Sequence, residues 1–149
     1  MENRESGSCS LASFRAASMQ FDAAYARFAK LCGLSETEYW SLLLVSEGAS
    51  TQREICGKLS VSPQTLNSAF KQLVGKGLVR LEPLEHNQRT KQIILTQAGS
   101  QFVEQNVAKM HRLEEQAWQA LSPEEQESLT NLTRRFGALI TASLDQEAN

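Results

Sequence analysis

Apolar residues recur at steps of three and four through most of the chain, and short polar punctuation divides them into a series of elements. Leu11, Phe14, Ser18, Phe21, Tyr25, Phe28 and Cys32 form one helical stripe, closed by Gly33. Ser35 with Glu38 three residues later has the capping-box spacing and opens a second helix. Its apolar members include Tyr39, Leu42, Leu43 and Val45, and it stops near Gly48. Thr51 and Glu54 repeat the pattern for a short third helix with Ile55, Cys56 and Leu59 inward. Ser60-Val61-Ser62-Pro63 reads as a turn, with Ser62 suited to the N-cap and Pro63 to the first helical position. The fourth helix runs to about Lys76, buries Leu66, Ala69, Phe70, Leu73 and Val74, and ends at Gly77.

After Gly77 the period changes from helical to alternating. Leu78 to Glu82 and Gln92 to Thr96 predict two short strands, with a polar hairpin tip from Pro83 to Lys91. Thr96 caps a long fifth helix reaching about Leu121, with Val103, Val107, Met110, Leu113, Ala117 and Leu121 along one side. Ser122-Pro123-Glu124-Glu125 opens a sixth, continued by Leu129, Leu132, Phe136, Leu139, Ile140 and Leu144. The expected fold is mainly α with a small two- to three-stranded sheet. Residues 35–96 form a winged helix-turn-helix, and residues 11–34 and 97–149 form a helical scaffold. The small, polar residues 1–10 are expected to be a disordered tail. The first stripe carries four aromatics, more than a lone surface helix needs, so it should pack on a partner chain or line a cavity.

Composition narrows the function classes. The 149 residues are 41% apolar and 21% charged, ordinary for a soluble globular protein. The longest apolar run, Leu42 to Val45, is far too short to span a bilayer. The N-terminal residues lack an apolar signal-peptide core, so a cytoplasmic location is expected and a membrane is not. Cys9, Cys32 and Cys56 are widely spaced with no CxxC pair, against a disulfide framework or zinc site. His86 falls in the hairpin tip and His111 in the fifth helix, and there is no HExxH, P-loop or GxGxxG. No catalytic set, metal site or cofactor is expected.

The net charge is −2, but it is unevenly distributed. From Arg53 to Thr96 seven basic residues (Arg53, Lys58, Lys71, Lys76, Arg80, Arg89 and Lys91) face three acidic ones, while both flanks are acidic. A phosphate-binding module on an acidic scaffold has this distribution. The fourth helix adds a hydrogen-bonding face opposite its apolar one. Gln64 and Asn67 have the bidentate amide that matches adenine; Ser62, Thr65 and Ser68 suit bases or phosphates; Lys71 reaches guanine or phosphate. In the hairpin, Asn87, Arg89 and Lys91 are the candidate contacts, and an arginine suits a narrow minor groove. Double-stranded DNA is the expected partner.

Four short runs resemble the MarR family of bacterial transcription regulators. Leu73-Val74-Gly75-Lys76-Gly77-Leu78-Val79-Arg80 resembles the family's helix-to-strand junction, and Leu95-Thr96-Gln97-Ala98-Gly99 the start of its fifth helix. Leu121-Ser122-Pro123-Glu124-Glu125 resembles the start of its sixth, and Leu34-Ser35 through Tyr39 and Leu42 the start of its second. The resemblance implies a homodimer joined through the first, fifth and sixth helices, binding a palindromic operator. It implies a repressor released by a small aromatic or anionic effector. Phe14, Arg15, Phe21, Tyr25, Tyr39 and Trp40 are the candidate effector-pocket residues, with Arg112 a second candidate for a carboxylate. The chain departs from the family at Asn87-Gln88-Arg89, where Asp-x-Arg is usual, and at Ser68, where an arginine is frequent. Two alternatives are a thiol-based redox-sensing regulator, using Cys9 or Cys32 beside Lys30, and an interaction protein that keeps the fold with little DNA affinity.

The fourth-helix assignment is directly testable. Asn67→Ala should relax base preference at one operator position, with a loss of about 1–3 kcal/mol there. Equal loss on every duplex in a binding-site selection would contradict direct readout.

Overall fold

The computed structural model describes residues 9–148. Residues 1–8 of the expected 1–10 tail lie outside the described residues; at its end, the Ser10 side chain accepts from the Ser13 N–H at 3.1 Å and caps the first helix. The elements run α1 (Leu11–Leu31), α2 (Glu36–Ser46), α3 (Gln52–Leu59), α4 (Pro63–Gly75), β1 (Val79–Leu84), β2 (Asn87–Leu95), α5 (Gln97–Phe102), a π-helical turn (Val103–Val107), α6 (Ala108–Gln119) and α7 (Pro123–Glu147). They fall into two compact units, Met1–Ala108 and Lys109–Asn149.

The core of the first unit forms where α2, α3 and α4 meet the base of the hairpin. Tyr39, Leu42, Ile55, Leu66, Phe70, Leu73 and Val79 are nearly or fully buried there. Burying each large side chain is worth roughly 1.5–3 kcal/mol, so these contacts dominate the local energetics. Thr51 caps α3 in a complete capping box. Hydrogen bonds from the Ser50 and Thr51 N–H groups hold the Glu54 carboxyl below the usual carboxylate range.

β1 and β2 pair antiparallel from Val79↔Leu95 to Pro83↔Lys91. Thr51 makes an isolated bridge to Gln92, and the Ile93 N–H donates to Ser50 O at 2.8 Å, so a third short edge joins the two-stranded sheet.

Several expected boundaries move. The strands extend well into the polar tip, leaving Glu85-His86 as the turn. A β-ribbon standing in solvent needs only its backbone ladder, so polarity was a poor guide to its end. The segment expected as one long helix changes winding at Val103–Val107. Val74, expected in the core, is 43% exposed because the last turn of α4 opens toward the hairpin. Cys56 and Leu59 are half-buried, leaving Ile55 as the buried member of α3.

One junction joins the elements of the first unit. Gly77 (φ +71) follows the C-cap Lys76 in the left-handed conformation that glycine adopts without cost. The Gly77 N–H then reaches Val74 O at 2.9 Å and the Leu78 N–H reaches Leu73 O at 3.0 Å, the paired closure of a Schellman motif. The Leu78 carbonyl accepts from the Thr96 N–H at 3.1 Å, and the Thr96 hydroxyl donates to Gly77 O while also capping α5 at Gly99. Gly99 packs directly on this carbonyl: a Cβ there would stand 1.9 Å from Leu78 O.

In the second unit, Ser122 and Glu125 form a complete capping box that opens α7. The Gln126 side chain donates to Trp118 O at 2.8 Å and Leu121 O at 3.3 Å, closing the corner after α6. Neither helix has a buried residue. Leu113 and Trp118 on α6, and Leu129, Leu132, Leu139, Ile140 and Leu144 on α7, are all exposed. No helix among the described residues is long and apolar enough to cross a membrane.

Gly99→Ala should cost about 3 kcal/mol or more, because the added methyl meets immobile backbone. Chemical denaturation would measure it, and a variant as stable as the parent would refute the close approach.

Candidate nucleic-acid interface

The turn between α3 and α4 depends on Ser60, whose φ of +52 reverses the chain after α3. Ser62 then caps α4, its hydroxyl accepting from the Thr65 N–H at 3.1 Å and sharing a hydrogen bond with the Thr65 hydroxyl at 2.9 Å. Burial of Leu66, Ala69, Phe70 and Leu73 rotates α4 so that Gln64, Thr65, Asn67, Ser68 and Lys71 are all exposed. The helix stands between two grooves.

The first groove, about 570 Å³, runs between α4, the start of α3 and the hairpin wing. Arg53, Lys71, Arg89 and Lys91 line it together with Asn67 and Gln52, over a floor that includes Phe70 and Val74. Four cations and no carboxylate line the groove, so its chemistry suits a polyanion. Two of the seven basic residues of this region are offset locally: Arg80 Nε pairs with Glu82 at 2.6 Å and Lys76 pairs with Glu38. Four of the remaining five converge on this groove.

The wing is ordered by Asn87. Its Oδ1 accepts from the Arg89 N–H at 3.1 Å and its Nδ2 donates to the Thr90 hydroxyl at 3.0 Å, where β2 carries extra residues opposite Pro83/Leu84. The amide oxygen thus serves an Asx-type bond for which a carboxylate would also serve. Arg89 is left exposed beside the groove.

The structure therefore brings Asn67, Lys71, Arg89 and Lys91 together. Gln64 is exposed on the first turn of α4; Thr65 and Ser68 line the other groove; Ser62 and Asn87 are engaged in local hydrogen bonds. Arg53 and Gln52 also line the first groove and were not singled out from the sequence, where Thr51 to Glu54 reads as a helix cap. The signal was present in the basic count of the region, but the approach of the start of α3 to the wing is tertiary.

Of the candidate effector residues, Phe21, Tyr25, Trp40 and Tyr39 form a continuous run of ring contacts. The centroid distances are 5.2 Å for Phe21–Tyr25, 5.1 Å for Tyr25–Trp40 and 5.3 Å for Tyr39–Trp40. The run passes from exposed Phe21 to Tyr39, which is 1% exposed and packs edge-on against Phe28. Phe14 and Arg15 are exposed near the start of α1, and Arg112 is exposed on α6. Cys32, half-buried, donates to Asn106 Oδ1 at 3.6 Å.

Residues 33–90 match the sequence profile of the MarR family. No curated protein sequence matches the chain. Among solved structures, a MarR family regulator from Neisseria meningitidis superposes with a TM-score of 0.77 at 17% identity, over 92% of this chain and 97% of its own. MosR from Mycobacterium tuberculosis, solved in complex with DNA, has a TM-score of 0.61 at 23% identity, over 88% and 98%. BpsR from Bordetella bronchiseptica, whose DNA binding is regulated by 6-hydroxynicotinic acid, has a TM-score of 0.71 at 16% identity, over 88% and 95%. At these identities the structural likeness is one of fold. Over residues 33–90 the chain resembles the MarR family in sequence, and over most of its length it has the winged-helix fold of the solved MarR regulators.

Proposed function

We propose that the chain is a cytoplasmic, homodimeric repressor whose residues 35–96 bind a palindromic operator. The observation that carries this reading is the cationic groove between α4 and the wing. With α4 in the major groove, Gln64 and Asn67 meet base edges, and a phosphate strand passes between α4 and the wing. Arg53, Lys71 and Lys91 then face phosphates, and Arg89 reaches toward the minor groove. The neighbour solved with DNA supports the orientation by its fold.

The dimer follows from exposed apolar surface. Leu11, Phe14, Met19 and Phe21 on α1 are exposed, as is the α7 stripe of Leu129, Leu132, Leu139 and Leu144. A soluble chain seldom leaves so much apolar surface uncovered. A second copy covering these helices makes residues 11–34 and 97–149 the dimerisation region. A small aromatic or anionic effector stacks on the Phe21–Tyr25–Trp40 run and weakens DNA binding, as 6-hydroxynicotinic acid regulates that of the structural neighbour. The structure offers no comparable feature in favour of a thiol switch or of a DNA-silent interaction protein.

Arg53→Ala and Arg89→Ala should each weaken binding to all duplexes and reduce the salt slope by about one. Fluorescence anisotropy across a salt series reads this, and an unchanged slope for both would remove the groove assignment. Leu132→Glu with Leu139→Glu should shift sedimentation from dimer to monomer and abolish preference for half-sites spaced about 10 bp apart. A dimer that persists would place the interface elsewhere.

A further inference from the structure

The second groove beside α4 has different chemistry. It is about 380 Å³ and lies between α2 and α4, on the side of the helix away from the wing. Ser35, Thr37, Thr65 and Ser68 line it with four hydroxyls, and Glu38 contributes a single carboxylate. No cation lines it. A helix in the major groove lies between two sugar–phosphate backbones, so each flank of α4 must receive one. The cationic groove meets the first. The second backbone must then enter a groove that contains a carboxylate, and a bare carboxylate there repels phosphate.

Glu38 is 6% exposed, too buried for water to screen it. Lys76, the C-cap of α4 four residues after Gln72, places its ammonium on the Glu38 carboxylate. The pair leaves the groove without net charge. The Ser35 hydroxyl accepts from the Glu38 N–H, which leaves its own proton available to another acceptor.

We propose that this hydroxyl-lined groove seats the second phosphate backbone through neutral hydrogen bonds, and that Lys76 permits it by cancelling Glu38. The inference rests on α4 being the major-groove helix. It makes Lys76 a positioning residue that acts through Glu38 without touching DNA. It also gives the two flanks of α4 different salt behaviour: the cationic flank releases counterions on binding, and the hydroxyl flank does not.

The test uses the full chain and a 40-base-pair duplex of mixed sequence, because a backbone seat does not depend on sequence. Anisotropy is measured across a salt series. Thr37→Val should lower affinity about three- to tenfold, the worth of one neutral hydrogen bond, with an unchanged salt slope. Lys76→Met should lower it about tenfold or more by exposing phosphate to an uncancelled carboxylate. Glu38→Gln with Lys76→Met should return it to within about twofold of the parent, since the groove is again uncharged. Circular dichroism melting accompanies each variant, and Thr37→Val decides the matter if Lys76→Met does not fold. A double variant as weak as Lys76→Met, with the slope reduced by about one, would mean that Lys76 binds phosphate directly and would overturn the proposal. Full affinity in Thr37→Val would overturn the hydroxyl seat. If these variants bind like the parent while Arg53→Ala and Arg89→Ala are weakened, the major-groove reading survives and this inference fails. If the parent itself binds no duplex, both fail.

Discussion

The Leu78 carbonyl is the point on which the winged domain depends. Within a few residues the chain ends α4, begins β1, ends β2 and begins α5, and all four events are tied to this group or its neighbours. The Gly77 closure turns the chain out of α4, the Thr96 N–H reaches back to Leu78 O, and Gly99 lies so close to the same oxygen that no side chain fits. Two sequence runs that look independent, one around Gly77 and one around Thr96 to Gly99, are therefore the two sides of a single contact. A fixed base for the hairpin follows, and with it the distance between α4 and the wing that defines the cationic groove.

That groove explains how a chain of net charge −2 suits a polyanion. Electrostatic attraction depends on the local field, and the first unit gathers Arg53, Lys71, Arg89 and Lys91 around one concavity without a carboxylate among them. Other basic residues are offset in place, Arg80 by Glu82 and Lys76 by Glu38, so they steady the protein surface and do not add to the field. The recognition helix is accordingly asymmetric. One flank offers charge and the other offers hydroxyls.

The second unit reads in the opposite sense. Its capping box, proline and helix-closing glutamine define α7 well, yet neither α6 nor α7 buries a residue. Helices stabilised in this way by local signals still carry an exposed apolar stripe, whose covering would release hydrophobic free energy. The wing is thus polar and exposed, whereas α7 exposes an apolar stripe.

Local chemistry alone determined most of the architecture. Ser35, Thr51, Ser62, Thr96 and Ser122 cap the helices where hydroxyl residues precede apolar periods, and Gly77 ends α4, because caps and closures act over three to five residues. The exposed face of α4 was legible for the same reason, since burial of its apolar side dictates what is left outside. Tertiary structure decided the rest. Polar strands at Pro83 to Lys91 were hidden because a backbone ladder leaves no hydrophobic trace. The meeting of Arg53 with Arg89, and of Glu38 with Lys76, brings together residues 36 and 38 positions apart, and no local signal encodes a distance of that kind. The Asn87 wing is the intermediate case: the residue was visible in the sequence, but only its hydrogen bonds to Arg89 and Thr90 showed that an amide holds the loop there.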